Sequence, residues 1–477
     1  MNNSQISIRI KRLAQMMSLL EENSFKIRSF EKAARIVSDH AEDMGVLVDE
    51  DRLKDVPGIG KTLAYVIMYY AKAGTVGLEQ ELEAQLPEGL PDLLDLPGLG
   101  MKKVQLLWQK FDITNIEALK QACEANTLAE MKGYGPKLQS KLLEAITFRA
   151  KHARDFYLDI ALSVAQNWME KLTPLRSISQ IELTGKLRRG SELIQSVELL
   201  VEADTSELIS ELNDQFGCGL SASNPLVIKD KSGLPIQIWT CKSETFAVEQ
   251  LIRTGGEVYA EQLQSLYGAD TESAAQTLDG VKLSANTTEN DLCGSIGIQW
   301  IEPELRDSYT RFPENIKLLK QSDIKGVFHA HSTWSDGRNA LEELAEATRN
   351  LGYEYLGISE HSQAAYYANG LKPDRVKSQW EVIDQLNSEY SDFHIFKGIE
   401  ADILKDGSLD YDDELLANFD FVIASIHSHF HLDPVQQTDR IVRALQSPFT
   451  TMLGHPTGRM LMARPGYNPD LTTIIDA

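Results

Sequence analysis

Histidines at the ends of strand-like runs constrain the fold of this chain more than any other feature. Eight of its ten histidines lie between His329 and His455. Helical runs, such as 341–351 and 375–390, separate the strand-like ones. Alternating strands and helices with polar residues at the carboxyl ends of the strands predict a β/α barrel. The five strand-like runs are 327–333, 355–361, 395–400, 421–427 and 451–456.

These strand ends provide imidazole and carboxylate groups without cysteine, which suits Zn²⁺, Mn²⁺ or Fe²⁺. His329 and His331 are two residues apart, so on a strand both rings lie on the same face. A single histidine at a strand end is more often a hydrogen-bonded structural residue than a ligand. Five such ends in order, with Asp336 and Glu400, favour a metal cluster. Three further histidines follow no strand-end pattern and are expected at the surface: His394, His429 and His431.

The order H-x-H, D-G, E-H, G-x-E, H-S and G-H-P resembles the PHP (polymerase and histidinol phosphatase) family. The resemblance implies a distorted (β/α)₇ barrel that binds up to three divalent ions, most readily Mn²⁺ or Zn²⁺, and hydrolyses phosphate esters. The family also has a D-x-H motif near its C-terminus, and no counterpart follows His455. Either the chain is a fragment or two ligands are absent. We therefore expect an incomplete metal site and an open barrel. The implied ligands are His329, His331, Asp336, His361, Glu400, His427 and His455.

Arg459 lies four residues after His455 and is a candidate catalytic residue. A guanidinium at this place can hold phosphate, and a structural salt bridge is an equal alternative.

A short glycine motif recurs three times in the first 150 residues, at 56–61, 96–102 and 131–137. Paired glycines permit a tight turn. The free amides at the start of the following helix, with a nearby lysine, can bind phosphate without reading a base. A packing corner between helices is the alternative for any single copy. The candidate DNA-binding residues are Gly58, Gly60, Lys61, Gly98, Gly100, Lys102, Gly133, Gly135 and Lys137.

The repeated motif resembles the helix-hairpin-helix of DNA repair proteins, and residues 22–34 resemble the start of family X DNA polymerases. The net charge of −23 disfavours DNA binding by the chain as a whole. Residues 1–150, however, carry 19 basic and 21 acidic side chains, so nearly all of the negative charge lies after them. Sequence-independent binding to the DNA backbone is therefore expected of residues 1–150.

In the middle of the chain, strand-like runs at 178–183, 196–202 and 235–241 alternate with helical runs at 206–216 and 245–253, which predicts an α/β layer. Residues 184–190 resemble the family X palm motif G-S-x-R-R-G, and residues 254–256 and 298–306 resemble later segments of the same polymerases.

The polymerase active site implied by this resemblance is degenerate. Lys186 replaces the serine, and the three positions of the family's carboxylates are Ser196, Glu198 and Gln237. One acid cannot hold two Mg²⁺ ions well, so we predict no DNA synthesis. The retained Arg188 and Arg189 could hold phosphate or pair with local acids.

The lysine that some family members use for abasic-site lyase chemistry is also replaced, by Val66, which cannot form a Schiff base. A lyase at that place is therefore not expected.

Together these features predict a multidomain α and α/β protein. It has a helical DNA-binding region at 1–150, a palm/thumb-like domain at 151–315 and an incomplete PHP barrel at 322–477. This order resembles the bacterial family X DNA polymerases with a C-terminal PHP domain. It implies a DNA repair enzyme, a metal-dependent 3′→5′ exonuclease with abasic-site endonuclease as a further activity, acting on gapped or 3′-recessed DNA. The alternatives are a gap-filling polymerase, a small-molecule phosphatase of the histidinol-phosphatase type and a non-catalytic DNA-binding scaffold.

The compartment follows from what the sequence lacks. No apolar run reaches the ~18 residues of a membrane helix, and the N-terminus has no secretory signal. The four cysteines are far apart, which suits a reducing compartment. We therefore expect a cytoplasmic monomer without membrane contact.

Overall fold

The computed structural model describes residues 1–40, 42–259, 287–295, 297–307 and 317–477, together with residues 261 and 263. The chain forms two compact units, one of Met1–Lys151 with Gln321–Ala477 and one of His152–Lys320. Residues 260, 262, 264–286, 296 and 308–315 of the predicted middle domain lie outside the described residues. The first and third predicted domains lie together in one of these two units. The division into three domains therefore stays a prediction.

The N-terminal part of the first unit is helical, as predicted. Its first helix begins at a capping box, in which Asn2 and Gln5 satisfy each other's backbone amides. Apolar residues at helical spacing, such as Ile6, Ile10 and Leu13, are fully buried in this helix. The helices are α1 (Asn3–Leu19), α2 (Ser24–Asp39), α3 (Met44–Asp49), α4 (Lys61–Ala73), α5 (Gly77–Glu83), α6 (Met101–Phe111), α7 (Ile116–Glu124), α8 (Thr127–Glu130) and α9 (Pro136–Lys151).

The second unit is the predicted α/β layer. Its elements are β1 (Phe156–Tyr157), α10 (Leu158–Leu172), β2 (Gln180–Thr184), α11 (Gly185–Arg188), β3 (Leu193–Ile194), β4 (Val197–Glu202), α12 (Thr205–Phe216), β5 (Leu226–Lys229), β6 (Pro235–Cys241), α13 (Phe246–Thr254) and α14 (Glu289–Ser295). Four strands form a sheet in the order β2-β4-β6-β5, in which β4 and β6 are parallel and the other pairs antiparallel. Burial alternates along β6, so one face of the sheet carries the core of this unit.

The C-terminal part of the first unit alternates strands with helices: β7 (Gly326–Ala330), α15 (Leu341–Asn350), β8 (Tyr355–His361), α16 (Pro373–Glu389), β9 (His394–Asp402), α17 (Asp413–Leu416), β10 (Phe421–Ser425), α18 (Pro434–Leu445), β11 (Met452–Leu453) and α19 (Leu471–Asp476). The five strands form a parallel sheet in chain order. All of β10 is buried, as expected for a parallel strand covered on both faces. The predicted α and α/β fold class is thus confirmed.

None of the helices described here combines the length and apolar character needed to cross a lipid bilayer.

Candidate active site

The carboxyl ends of the parallel strands bring the predicted metal ligands to one edge of the sheet. His361 at the end of β8 pairs in register with Glu400 on β9, and Glu400 pairs with Ile423 on β10. His329 lies in β7 with a positive φ of 63°, beside a register shift between Val327 and Ala330. Such irregularities re-aim side chains near functional sites.

Glu400 lies at the centre of this cluster. Its side chain is 1% exposed and is surrounded by five imidazoles from the ends of the other four strands. Its Oε1 lies 2.9 Å from His329 Nε2 and 3.2 Å from the Nε2 atoms of both His427 and His455. Its Oε2 lies 3.0 Å from His361 Nδ1 and 3.6 Å from His331 Nε2.

Asp336 joins the cluster from the loop after β7. Its carboxylate oxygens lie 3.7 Å from His331 Nδ1 and 3.7 Å from His361 Nε2. Three overlapping groups each offer three ligand atoms within 4.8 Å of one another: His329, His331 and Glu400; His331, Asp336 and His361; and His361, Glu400 and His427. The structure therefore brings together all seven residues that the PHP resemblance implies, His455 through its contact with Glu400.

Three buried ligand atoms of this cluster have no hydrogen bond of ordinary geometry within the described part of the chain, although two of them are 3.0 Å apart: His331 Nδ1, His361 Nδ1 and Glu400 Oε2. Buried polar atoms are ordinarily paired, so unpaired nitrogens and oxygens that converge on one space fit divalent cations.

The electrostatics of the cluster are those of closely packed acids and imidazoles. Burial alone would raise the pKa of Glu400, but four of the five surrounding histidines hold it well below its ordinary value. Burial, followed by the neighbouring His361, lowers the pKa of His331 to about 4. Burial alone would lower the pKa of His427, but hydrogen bonds with Asp402 and Glu400 raise it to about 9. Glu400 is thus held in its charged form and His331 in its neutral form, which are the forms that bind a divalent ion.

Asp402 belongs to the cluster and was missed in the sequence. It is buried at the end of β9, and its carboxylate is hydrogen-bonded to His427 Nδ1 while His427 Nε2 faces Glu400. A carboxylate in this position fixes the tautomer and ring orientation of a histidine ligand. Asp402 is two residues after Glu400, so the alternation that paired His329 with His331 could have found it.

Glu360 is a second residue that the sequence reasoning missed. It is fully buried next to His361 and accepts hydrogen bonds from the backbone amides of Ser332 and Ser335 at 3.0 and 3.1 Å, and from both hydroxyls. Gln379 Nε2 on α16 donates a further bond at 3.1 Å. Burial raises the pKa of Glu360 although these donors act in the opposite direction. Glu360 thereby holds the loop that carries Asp336.

The remaining candidates of this region lie at the surface. Arg459 is exposed, and its role in holding phosphate stays a prediction. The three histidines outside the strand-end pattern are exposed, as expected: His394, His429 and His431.

The three glycine motifs form the same turn three times. The first glycine of each has a positive φ, 91° at Gly58, 87° at Gly98 and 98° at Gly133, which only glycine adopts readily. The second glycine of each precedes α4, α6 or α9, and its carbonyl accepts the first helical hydrogen bond. The apolar residue between the glycines is buried in each copy, and the following lysines are exposed: Lys61, Lys102 and Lys137. The turns therefore present helix amides and cationic side chains together.

The predicted polymerase positions lie on the sheet of the second unit. Glu198 on β4 pairs in register with Gln237 on β6, and Ser196 immediately precedes β4. A Cβ at Gly185 would lie 2.4 Å from Glu198 Oε1, so the carboxylate packs on the backbone of Gly185. Burial raises the pKa of Glu198, and Arg189 is the strongest influence in the opposite direction. A single buried carboxylate, Glu198, beside the neutral amide of Gln237 is a poor site for two cations.

The two arginines of the palm motif are held by acids, which is one of the two alternatives the sequence left open. Arg188 forms a two-pronged ion pair with Glu289, and Arg189 pairs with Asp307 at 2.6 Å. Lys186 is exposed, and Val66 is buried on α4.

Comparisons with known proteins agree with the class of protein that this fold and site define. Residues 1–76 match a helix-hairpin-helix domain family and residues 90–147 a SAM-like helix-hairpin-helix tandem, which indicates DNA binding. The whole chain is 32% identical to the DNA polymerase/3′-5′ exonuclease PolX of Bacillus subtilis, of which it covers 85%. The chain therefore belongs to the PolX family of DNA polymerases/3′-5′ exonucleases.

The C-terminal part is also similar to two probable phosphatases. It is 28% identical over 159 residues to one from Acetivibrio thermocellus and 28% identical over 140 residues to one from Caldicellulosiruptor saccharolyticus. These matches cover 55% and 53% of the phosphatases, respectively, and 31% and 27% of this chain.

Proposed function

We propose that this chain is a metal-dependent DNA phosphodiesterase of DNA repair that removes nucleotides from 3′ ends at gaps and recessed ends. The observation that carries the proposal is the convergence of five histidines on buried Glu400. The name of the Bacillus subtilis relative, which states a 3′-5′ exonuclease, supports it. Abasic-site endonuclease activity would use the same site.

The residues proposed to hold the ions are the seven that converge at the sheet edge: His329, His331, Asp336, His361, Glu400, His427 and His455. The three overlapping groups of ligand atoms suit up to three divalent ions, and the mixed imidazole and carboxylate donors suit Mn²⁺ or Zn²⁺. Bound ions would supply a nucleophilic water near neutral pH and neutralise charge on the phosphate.

The protein's own part is to hold these donors in place. Asp402 orients His427, and Glu360 fixes the loop of Asp336. Arg459 is proposed to contact phosphate.

The DNA is proposed to reach the site from the hairpins. The helix that follows the third hairpin, α9, contacts the loop after β10, where Lys141 Nζ lies 3.0 Å from His431 Nε2. Backbone held at Gly133, Gly135 and Lys137 would thus be close to the side of the unit that carries His427.

The second unit is proposed to be inactive as a polymerase, because Glu198 has no acidic neighbour at the Gln237 position and both motif arginines are paired. The two phosphatase relatives favour small-molecule phosphatase activity as the second candidate function. That activity gives no role to three hairpins with exposed lysines.

One experiment separates these functions. The intact chain with Mn²⁺ is expected to shorten a 3′-recessed or gapped duplex, to add no nucleotides when all four deoxynucleoside triphosphates are present, and to hydrolyse histidinol phosphate far more slowly than DNA. Gel electrophoresis of the labelled strand and a phosphate-release assay measure these rates. We expect the double variant His329→Ala/His331→Ala to lose at least about 100-fold in DNA hydrolysis, because two strand-end donors are gone.

The matched control is His394→Ala, which removes an exposed imidazole from the amino end of β9. Equal cleavage by the double variant and this control contradicts the proposed site. If the chain extends the strand and Glu198→Ala abolishes that extension, the second unit is a working polymerase. If the chain binds DNA without any hydrolysis, it is a scaffold.

Removing the hairpin lysines is expected to weaken DNA binding in a salt-dependent way. Because each phosphate contact contributes about −0.9 to the slope of log K against log salt, Lys61→Gln/Lys102→Gln/Lys137→Gln should flatten that slope by about 2–3. Fluorescence anisotropy of a labelled duplex at several salt concentrations measures it. The control exchanges three other exposed lysines, Lys231, Lys377 and Lys405, for glutamine. Identical slopes for the two triple variants contradict backbone binding by the hairpins.

A cytoplasmic monomer stays our prediction. The four cysteines are free thiols, in agreement with a reducing compartment.

A further inference from the structure

We propose that Tyr366 and Tyr367 form a platform on which the base at the 3′ end of a DNA strand stacks, so that the attached phosphodiester enters the Glu400 cluster. This inference rests on the proposed function and names the form of its substrate, a frayed single-stranded end. It also explains why the site would prefer a DNA strand, which carries bases, to a simple phosphate ester, which does not.

The two tyrosines are exposed to an unusual degree for large aromatic residues. Tyr366 is 86% and Tyr367 is 63% exposed, and their ring centroids lie 6.0 Å apart at an interplanar angle of 79°. Aromatic side chains ordinarily bury most of their surface. Because the two ring planes are nearly perpendicular, a base can stack on the face of one ring and meet the other edge-on.

This exposure is imposed by a well-anchored turn. Ala365 and Ala368, on either side of the tyrosines, are buried. The amides of Ala368 and Gly370 both donate to Ala365 O, and a Cβ at Gly370 would lie 2.0 Å from Ser362 O. Upstream, the amide of Ala364 donates to buried Asp410 at 2.8 Å. The turn is therefore tied down on both sides, and it directs the two rings outward.

The platform lies beside the metal-ligand cluster. The ring of Tyr367 is 6.4 Å from the ring of His361, centroid to centroid. Partial burial raises the pKa of Tyr367, and the charges of Asp402, Glu400 and Asp336 raise it further, as expected for a hydroxyl near the acids of the cluster. A nucleotide connects base and phosphate through a single sugar, so a base stacked here keeps its phosphate at the cluster.

The chemistry of the two rings favours a nucleobase as the occupant. Stacking on aromatic side chains binds single-stranded DNA without regard to sequence, because every base has a π-face. The hairpins likewise bind backbone without reading bases. A base at a paired end still stacks on its neighbour and is held by its partner strand, whereas a frayed base is free to move onto a ring, so the platform favours ends that have frayed.

The test exchanges both tyrosines for leucine, which keeps apolar bulk and removes the rings. Digestion of single-stranded DNA by Tyr366→Leu/Tyr367→Leu is expected to show a KM about 10- to 100-fold higher with kcat changed less than about threefold, since stacking strength appears in binding. A 2-aminopurine at the 3′ end should be quenched on binding to the parent chain and unquenched with the double variant. Tyr366→Phe/Tyr367→Phe should rescue both readouts.

Hydrolysis of bis(p-nitrophenyl) phosphate, an ester without a base, separates this inference from the proposed function. The double leucine variant should lower the ratio of DNA to base-free hydrolysis by about the same factor as its KM effect. An unchanged ratio, or an unchanged KM and quenching, overturns the platform alone. A parent chain that hydrolyses neither substrate with Mn²⁺ or Zn²⁺ overturns the proposed function as well.

Discussion

Glu400→Gln is expected to lose most of its bound divalent metal and at least about 100-fold of its DNA hydrolysis. The exchange keeps the size of the side chain and removes the charge that five imidazoles face. Loss of a partner that only supports a metal ligand already costs 10- to 100-fold in affinity or activity, so loss of a shared ligand should cost more. Metal analysis of the purified chain, with cleavage of a 3′-recessed duplex, measures both quantities.

The control for this prediction is again His394→Ala, at the other end of the same strand. It should retain metal and activity, because its ring lies at the amino end of β9 and is exposed. If Glu400→Gln binds as much metal as this control and cuts as fast, the cluster around Glu400 is not the metal site. Loss of metal with full cleavage would move the hydrolytic site elsewhere in the chain.

The part of the site that the sequence could predict is the part set by strand geometry. Parallel strands end at one edge, so residues such as His361 and His427 had to come together once the strands were recognised. The same holds for the hairpins, where the glycines that permit the turn stand next to the lysines that would contact phosphate. Both features follow from short stretches of sequence. The structure has the shared edge of the parallel strands and the three glycine turns.

What could not be predicted depends on side chains that meet from distant segments. Glu360 looked like an ordinary neighbour of His361, yet it is the residue that fixes the loop of Asp336. The positive φ of His329 follows from a register shift between strands, which no local pattern encodes. The partner of Arg188 is 101 residues away at Glu289, so the choice between phosphate binding and an internal ion pair needed the fold.

This ion pair leads to the largest expected change in stability. Glu289 is 4% exposed and forms two-pronged pairs with both Arg188 and Arg306, the latter fully buried. Glu289→Gln leaves the buried guanidinium of Arg306 and the partly buried one of Arg188 without this counter-charge, which should destabilise the second unit by about 3–5 kcal/mol. Hydrogen exchange of the intact chain measures this loss of stability. We expect faster exchange in peptides from β4, β6 and α14 of the variant. Peptides from β8 to β10 serve as the internal reference.

The same prediction has a pH dependence of definite sign. Burial alone would raise the pKa of Glu289, but the bonds from Arg188 and Arg306 hold it below the ordinary value of a glutamate. Such a carboxylate stabilises the fold fully above its ordinary pKa, and the contribution disappears as the pH falls through the lowered value. The unfolding temperature of Glu289→Gln should therefore lie well below that of the exposed control Glu304→Gln at neutral pH, and the gap should narrow on acidification. A gap that is absent at neutral pH, or that widens in acid, means that Arg188 and Arg306 do not depend on this charge.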